Sequence, residues 1–334
     1  MSGPDHLPGD GGITLRPATA ADGPAILELL QACLGWAPGG PLEAFFAWKH
    51  GENAFGPSPA WLAVHDGRMV GFRTFMRWEL EHGHRWCRAA RAVDTATHPD
   101  YRGQGIFSRL TQLALEQLRT EGVAVVFNTP NEKSRPGYLK MGWTTVGRLP
   151  VLFRPRTPAS VVSMARARAP ADKWSVPTSA CLSAPEVLAD TDAVAGLLAR
   201  LPSAAALHTR RSPAFLAWRY GFAPLAYRVA LVGAKVEDGI VVFRLRRRGP
   251  ALESVVSEVL VPGDATRALR STLGAVLRST RADYAIRLGG PGVPRLDFLP
   301  LPGQGPILVR RHVDDSGTSM PTGWQLSLGD VELF

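Results

Sequence analysis

The sequence predicts an α/β chain (α+β) of two tandem copies of one unit, each a mixed sheet flanked by helices. Three observations carry this. A strand runs into a glycine turn and then a helix, short apolar runs alternate with helical patterns, and parts of the first half recur in order in the second. A length of 334 residues exceeds one typical domain and suits two.

The elements follow in order. Gly12-Ile-Thr-Leu-Arg-Pro17 reads as a strand, and Thr19-Ala-Ala-Asp22 caps a helix running through Leu30. Leu42–His50 is a helical patch between loops rich in Gly and Pro, within the segment Trp36–Pro59. Trp61–His65 and Met69–Phe75 form a hairpin around Asp66-Gly67, a dipeptide suited to tight turns. Ala90–Thr97 is the next strand. After it Ile106, Leu110, Leu113, Ala114 and Leu118 recur at helical spacing. Val123–Phe127 is a buried strand, Tyr138 lies on a helix that Pro136 and Gly137 keep short, and a final hairpin runs through Phe153.

The junction between Thr97 and Ile106 carries the chemistry. His98-Pro-Asp-Tyr-Arg102-Gly103-Gln104-Gly105-Ile106-Phe107 delivers a strand into a helix N-terminus through a glycine turn. Backbone N–H groups and the helix dipole converge there, which suits a phosphate or pyrophosphate. The turn lacks the G-x-x-x-x-G-K-[ST] and G-x-G-x-x-G templates, so neither a P-loop nor a dinucleotide fingerprint accounts for it.

Downstream stands Asn131-Glu-Lys-Ser134-Arg-Pro-Gly-Tyr138-Leu-Lys-Met-Gly142-Trp143. The two segments together resemble the GNAT family of acyl-CoA-dependent N-acetyltransferases. Its signature (R/Q)-x-x-G-x-(G/A) is matched at Arg102 and Gly105, with Phe107 in place of the final small residue. A second signature, N-x-x-(A/S)-x-x-x-Y-x-x-x-G-(F/W), is matched at Asn131, Ser134, Tyr138, Gly142 and Trp143. The resemblance implies a mostly antiparallel twisted sheet and acetyl-CoA as cosubstrate. It implies that Arg102, Gly103, Gln104, Gly105, Ile106 and Phe107 cradle the pyrophosphate. Thr95, Ala96 and Thr97 would line the pantetheine, Asn131 and Ser134 would complete the site, and Tyr138 would be the general acid.

Amine acylation also requires loss of a proton from the ammonium. Asp94 is the carboxylate on the strand before the turn, placed by alternation on the same face as Ala96. As an ionisable group in an apolar run it is the candidate base, though anchoring the ammonium or a structural role also fits. Glu81, His82 and His84 are the runners-up. The acceptor, a small-molecule primary amine, is expected between Trp36–Pro59 and Thr144–Leu149.

The repeat sharpens this reading. Phe45-Phe-Ala-Trp48-Lys49-His50 returns as Phe215-Leu-Ala-Trp218-Arg219-Tyr220, an offset of 170 residues (48 to 218). Gly67–Arg73 returns as Gly239–Arg244, and Gly147–Arg154 as Gly303–Arg310. The expected organisation is a catalytic unit at 1–155, a linker at 156–175 and a degenerate second copy at 176–334. In that copy Pro262-Gly-Asp-Ala-Thr-Arg-Ala268 replaces the turn, so one CoA per chain is expected. The second copy would bury surface, shape a pocket or form a homodimer. Because it retains Trp218-Arg219-Tyr220, the sequence assigns Trp48, Lys49 and His50 to packing.

Composition sets the remaining bounds. The net charge of +9 reads as surplus surface arginine rather than a nucleic-acid footprint, and Arg244–Arg248 as a charged strand end that discourages edge pairing. No leader, membrane-spanning run or metal-type cluster is evident. Cys33, Cys87 and Cys181 at wide spacing suit reduced thiols, so a cytoplasmic protein is expected with no metal. Two alternatives stand beside the N-acetyltransferase: a Fem-like aminoacyl-tRNA-dependent transferase, and a non-catalytic acyl-CoA-binding protein. The intact Arg102–Gly105 turn argues against the former.

Overall fold

The protein is described from a computed structural model covering residues 7–8, 12–35, 41–167, 169–204, 206–263, 265–290, 293–301, 303, 305–314 and 323–332. The first half contains β1 (Leu7–Pro8), β2 (Thr14–Pro17), α1 (Gly23–Leu34), α2 (Leu42–His50), β3 (Ala60–His65), β4 (Arg68–His82) and β5 (Arg85–Thr97). It continues with α3 (Ile106–Thr120), β6 (Val125–Asn128), α4 (Arg135–Lys140), β7 (Thr144–Arg148) and β8 (Val151–Pro155). The second half opens with α5 (Pro158–Arg166), β9 (Leu182–Ser183), α6 (Ala184–Leu188), α7 (Thr191–Ala199), β10 (His208–Thr209) and α8 (Pro213–Gly221). Then come β11 (Arg228–Leu231), β12 (Ile240–Arg248), β13 (Ala251–Leu260), α9 (Thr266–Thr280), β14 (Tyr284–Leu288), β15 (Leu299–Pro300), β16 (Ile307–His312) and α10 (Leu328–Val331).

Local chemistry explains the elements around the site. Asp66 and Gly67 take φ of +47° and +75°, the left-handed pair that a tight β3–β4 hairpin requires. Helix α3 buries Ile106, Leu110, Ala114 and Leu118, one face of a 3.6-residue period, against the sheet. Helix α4 is only six residues long and carries Pro136 in its first turn, where a missing N–H costs nothing.

The strands form two sheets with one shared plan. The first runs β1-β2-β3-β4-β5-β6-β16-β7, with β10 joined to β4; the second runs β15-β8-β14-β13-β12-β11-β9. Each is antiparallel except at one place. β5 pairs parallel with β6, and β13 parallel with β14, as a crossover helix demands. Read from corresponding ends, β2-β3-β4-β5-β6-β16-β7 matches β9-β11-β12-β13-β14-β8-β15, and β1 and β10 are additions to the first sheet.

One feature departs from the sequence reading. β7 and β8 do not form the final hairpin expected through Phe153. Instead β8 inserts between β14 and β15 of the second sheet, while β16 inserts between β6 and β7 of the first. Each half gives its last strand to the other, so the sheets do not divide the chain at residue 155. β16 satisfies the edges of β6 and β7 at once, and β8 does the same for β14 and β15.

The stretch expected as a linker is also structured. It contains α5, Ala171 bridges to Arg248, and the Trp174 ring meets Phe45 edge-on with centroids 5.6 Å apart. Nor is Arg244–Arg248 an exposed strand end. Over this run β12 pairs with β13 on one side and meets residues 171–176 on the other, Arg244 is fully buried against Glu332 (2.5 Å), and Arg246 bridges Glu332 (2.7 Å) and Glu253 (2.6 Å).

The largest core lies between the sheets and belongs to both halves. Phe45, Trp48, Trp78 and Phe127 meet Phe215, Trp218, Tyr227 and Val242 within it. At its centre the repeated tryptophans answer each other. Trp48 Nε1 donates to the Trp218 carbonyl at 2.8 Å, Trp218 Nε1 donates to the Trp48 carbonyl at 2.8 Å, and the indoles stack 5.3 Å apart. This reciprocal pair marks a local two-fold relation between α2 and α8. Separate cores lie under α3 and under α9. Among the described residues no helix is long and apolar enough to cross a membrane.

Candidate active site

The glycine turn has the expected geometry. Gly103 and Gly105 adopt φ of +80° and +73°, a region L side chains avoid, and Gly105 sits at the N-cap of the 15-residue α3. The first turn of any helix leaves N–H groups without intrahelical acceptors, so the corner presents donors and positive dipole to one point. A Cβ built on either glycine meets nothing within 4 Å, which leaves open space over the turn.

Next to the turn the sheet opens. The parallel pairing of β5 with β6 is confined to Ala89–Arg91 and Val125–Phe127, and β5 then continues to Thr97 paired with β4 only. Unpaired strand edges at such a gap offer backbone groups to an extended ligand. Asn128, at the end of β6, is buried with its Oδ1 unpartnered.

Three groups meet on the α3 side of this gap. Tyr138 is buried, its ring packed edge-on to Phe107 at 5.4 Å and to Trp143 at 5.2 Å. Arg73 of β4 lies beside it, fully buried, and its Nη1 donates to the Tyr138 hydroxyl at 2.9 Å and to Thr95 Oγ1. The Arg73 Nε and Nη2 atoms are buried with no hydrogen-bond partner. Leaving buried donors unmade costs about 1–3 kcal/mol each, so a site that keeps them is built for a further acceptor. Phe107, the departure from the signature, closes over Gly137 and Tyr138. Asn131 Oδ1 accepts from the Ser134 backbone N–H at 2.9 Å, so these two residues shape the approach to α4.

The sequence of residues 14–146 matches the model of the acetyltransferase (GNAT) domain. By this match residues 14–146 are a GNAT acetyltransferase domain. No curated protein matches the chain. Solved structures do, at the level of fold. A GCN5-related N-acetyltransferase from Anabaena variabilis superposes with a TM-score of 0.64 at 14% identity, covering 90% of this chain and 73% of that one. A probable N-acyltransferase of unknown function from Enterococcus faecalis gives 0.63 at 13%, covering 90% and 73%. Eis1 from Mycobacterium abscessus gives 0.57 at 16%, covering 90% and 74%.

On the opposite face of β5 the GNAT domain holds a buried charge cluster. Phe72 pairs with Ala96 and Thr74 with Val93, so Asp94 and Thr95 together face Arg73 alone. This bulge puts Asp94 at φ +38°, strained for a non-glycine residue. Its side chain turns to α2, where Oδ2 meets Lys49 Nζ at 2.7 Å and His50 Nε2 at 2.8 Å. Side-chain exposures of 1% for Lys49, 7% for His50 and 10% for Asp94 remove the cluster from bulk water.

The electrostatics assign different capacities to these groups. Burial alone would raise Asp94, yet the Lys49 charge and the His50 hydrogen bond hold its carboxyl well below the usual carboxylate range. A carboxylate so held accepts a proton poorly. Burial lowers His50 below its ordinary value, outweighing the opposing pull of Asp94. Lys49 is likewise lowered by burial, against the pull of Asp94. An ionised Asp94 favours the His50 tautomer with its proton on Nε2, which leaves Nδ1, buried and unpartnered, as the acceptor nitrogen.

Sequence reasoning thus missed Lys49, His50 and Arg73. Trp48 does pack as expected, but its two neighbours reach Asp94. Arg73 had a signal: a lone cation between Phe72 and Phe75. Ala96 packs toward α1 with Ile26, Leu29 and Leu30, and the Thr97 carbonyl accepts from Cys33 Sγ at 3.5 Å. The runners-up are remote: Glu81 stands eight residues along β4 from Arg73, about 27 Å at a strand's rise. Trp36 of the expected acceptor segment lies outside the described residues.

The turn is directly testable. Gly105→Glu should abolish acetyl-CoA binding in calorimetry by placing a carboxylate where an anion would sit, whereas Gly105→Ala should weaken it only through backbone strain. Wild-type affinity in Gly105→Glu would refute the cradle.

Proposed function

We propose that the protein transfers an acyl group from acetyl-CoA to the primary amine of a small molecule by direct attack in a ternary complex. The observation that carries this reading is the gap after β5, with Tyr138 and Arg73 on one face and His50 and Asp94 on the other. The residues fit acetyl-CoA: a glycine turn at a helix N-terminus for the pyrophosphate, strand edges at Thr95–Thr97 for the pantetheine, and unpartnered Arg73 and Asn128 atoms beside it. The cosubstrate supplies the activated thioester.

The protein residues then divide the proton work. His50 Nδ1 takes the proton that the amine must lose, while Asp94 orients the imidazole and stabilises its charged form. Asp94 therefore acts through His50. Arg73 donates to the phenolic oxygen of Tyr138, so the phenol keeps its own O–H to donate to the leaving sulfur. The second half is a degenerate GNAT-like copy without a turn of this kind, which supports one CoA per chain.

Screening primary amines with acetyl-CoA and detecting the released thiol tests the reading. Tyr138→Phe should lower kcat about 10²-fold, the low end for a lost general acid, with acetyl-CoA affinity unchanged. A tRNA-dependent transferase would instead show no acetyl-CoA binding, and a non-catalytic binder no turnover with any amine.

A further inference from the structure

The second half contains a cavity of about 510 Å³ at the place where the first half opens its sheet. The parallel pairing of β13 with β14 is confined to Glu253–Val255 and Tyr284–Ile286, as that of β5 with β6 is to three pairs. The cavity lies just beyond, between Val256–Leu260, Arg287 and the first turn of α9. The tip of the β4–β5 hairpin, Gly83 and His84, forms part of its wall. It is therefore remote from Tyr138 and cannot serve as the acceptor pocket.

Its lining combines apolar surface with polar groups and a buried cation, Arg287, that no carboxylate reaches among the described residues. Leu198, Leu201, Leu260, Leu269 and Leu326 contribute the apolar wall. The carboxylates at the cavity have partners: Glu258 binds Arg211 at 2.9 and 3.0 Å, an arginine it shares with Asp330 at 3.3 Å, and Glu81 binds His208 at 3.0 Å. Arg287 does not. It is 4% exposed, its Nη2 donates to the Pro294 carbonyl, its Nε is buried without a hydrogen-bond partner, and no ion pair reaches it among the described residues. Arg287 follows the last paired residue of β14 as Asn128 follows the last paired residue of β6. A buried cation without a counter-ion is costly to keep, and burial accordingly lowers its pKa to about 10.

Size, wall and charge select a ligand class. The volume is that of a small-molecule site. The leucine side chains suit an apolar body, and the missing glycine turn removes the pyrophosphate cradle.

We propose that this cavity is a second ligand site that takes an apolar molecule bearing a single carboxylate, a medium-chain fatty acid in chemical terms. The Arg287 guanidinium meets the carboxylate, and the leucine wall covers the chain. The site is separate from the transferase site and requires no turnover.

Titration calorimetry on the full chain with octanoate, octanol and octylamine tests this. Octanoate should bind at least about tenfold more tightly than octanol, the size of one charge-assisted contact, and octylamine should not bind. Arg287→Met should erase the preference for octanoate, and Arg287→Lys should retain most of it. Acetyl-CoA binding should be the same in both variants, and saturating acetyl-CoA should not displace octanoate. Equal binding of octanoate and octanol, preference for octylamine, no binding of octanoate, or displacement by acetyl-CoA would each overturn the proposal. The comparison of three ligands on the unaltered protein holds even if neither variant folds.

Discussion

A fragment ending at residue 155 should fail to fold, and the same fragment co-expressed with residues 156–334 should recover a cooperative transition. Without the second half the first sheet loses β16, which pairs with both β6 and β7. Leu308 and Val309 are fully buried, and their loss alone removes roughly 3–6 kcal/mol at 1.5–3 per side chain. That is comparable with the 5–15 kcal/mol of an ordinary protein, before the shared core around Trp48 is counted. Circular dichroism melts of the fragment, the second half and the co-expressed pair decide the matter. A sharp melt from the isolated fragment would show that the strand exchange is dispensable.

The second large effect concerns His50. His50→Gln should lower kcat about 10³-fold, within the range for a general base, with acetyl-CoA affinity unchanged. The pH profile separates a base from a packing residue. In the wild type the imidazole must be neutral to take a proton, so kcat/KM should fall as pH drops through its pKa. Burial lowers that pKa, so this acid limb should lie below about 6.5, the ordinary histidine value. The variant should lack the limb altogether. If His50→Gln keeps it, the base is another group. Asp94→Asn should also lower kcat, and it should destabilise the fold as well, since Lys49 would be left buried with its carboxylate partner gone.

Much of the site was legible because its signals are local. Gly103 and Gly105 announce a left-handed turn, the Ile106–Leu118 spacing announces a helix, and Pro136 announces that the Tyr138 helix is short. The strand exchange was not legible, because pairing partners are set at long range. Val151–Pro155 and Ile307–His312 look alike in the sequence, and nothing in either run says which sheet it joins. The His50–Asp94 contact was not legible for a related reason. The repeat correctly implied that α2 and α8 pack, but Lys49 and His50 reach Asp94 through a strand bulge. No single-sequence pattern announces that bulge. The ion pairs of Arg244 and Arg246 were not legible in the Arg244–Arg248 run because Glu332 lies far along the chain.

The reciprocal bonds of Trp48 and Trp218, together with the two traded strands, have the form of a symmetric homodimer joined into one polypeptide. In a true homodimer every substitution appears twice, so both sites must change together. Fusion removes that constraint. One half can keep its glycine turn while the other replaces it, and the outcome is visible at corresponding positions: His50 beside Asp94 in one half, and Tyr220 donating to Glu258 at 3.2 Å in the other. Joining the halves is what allows this chain to be asymmetric.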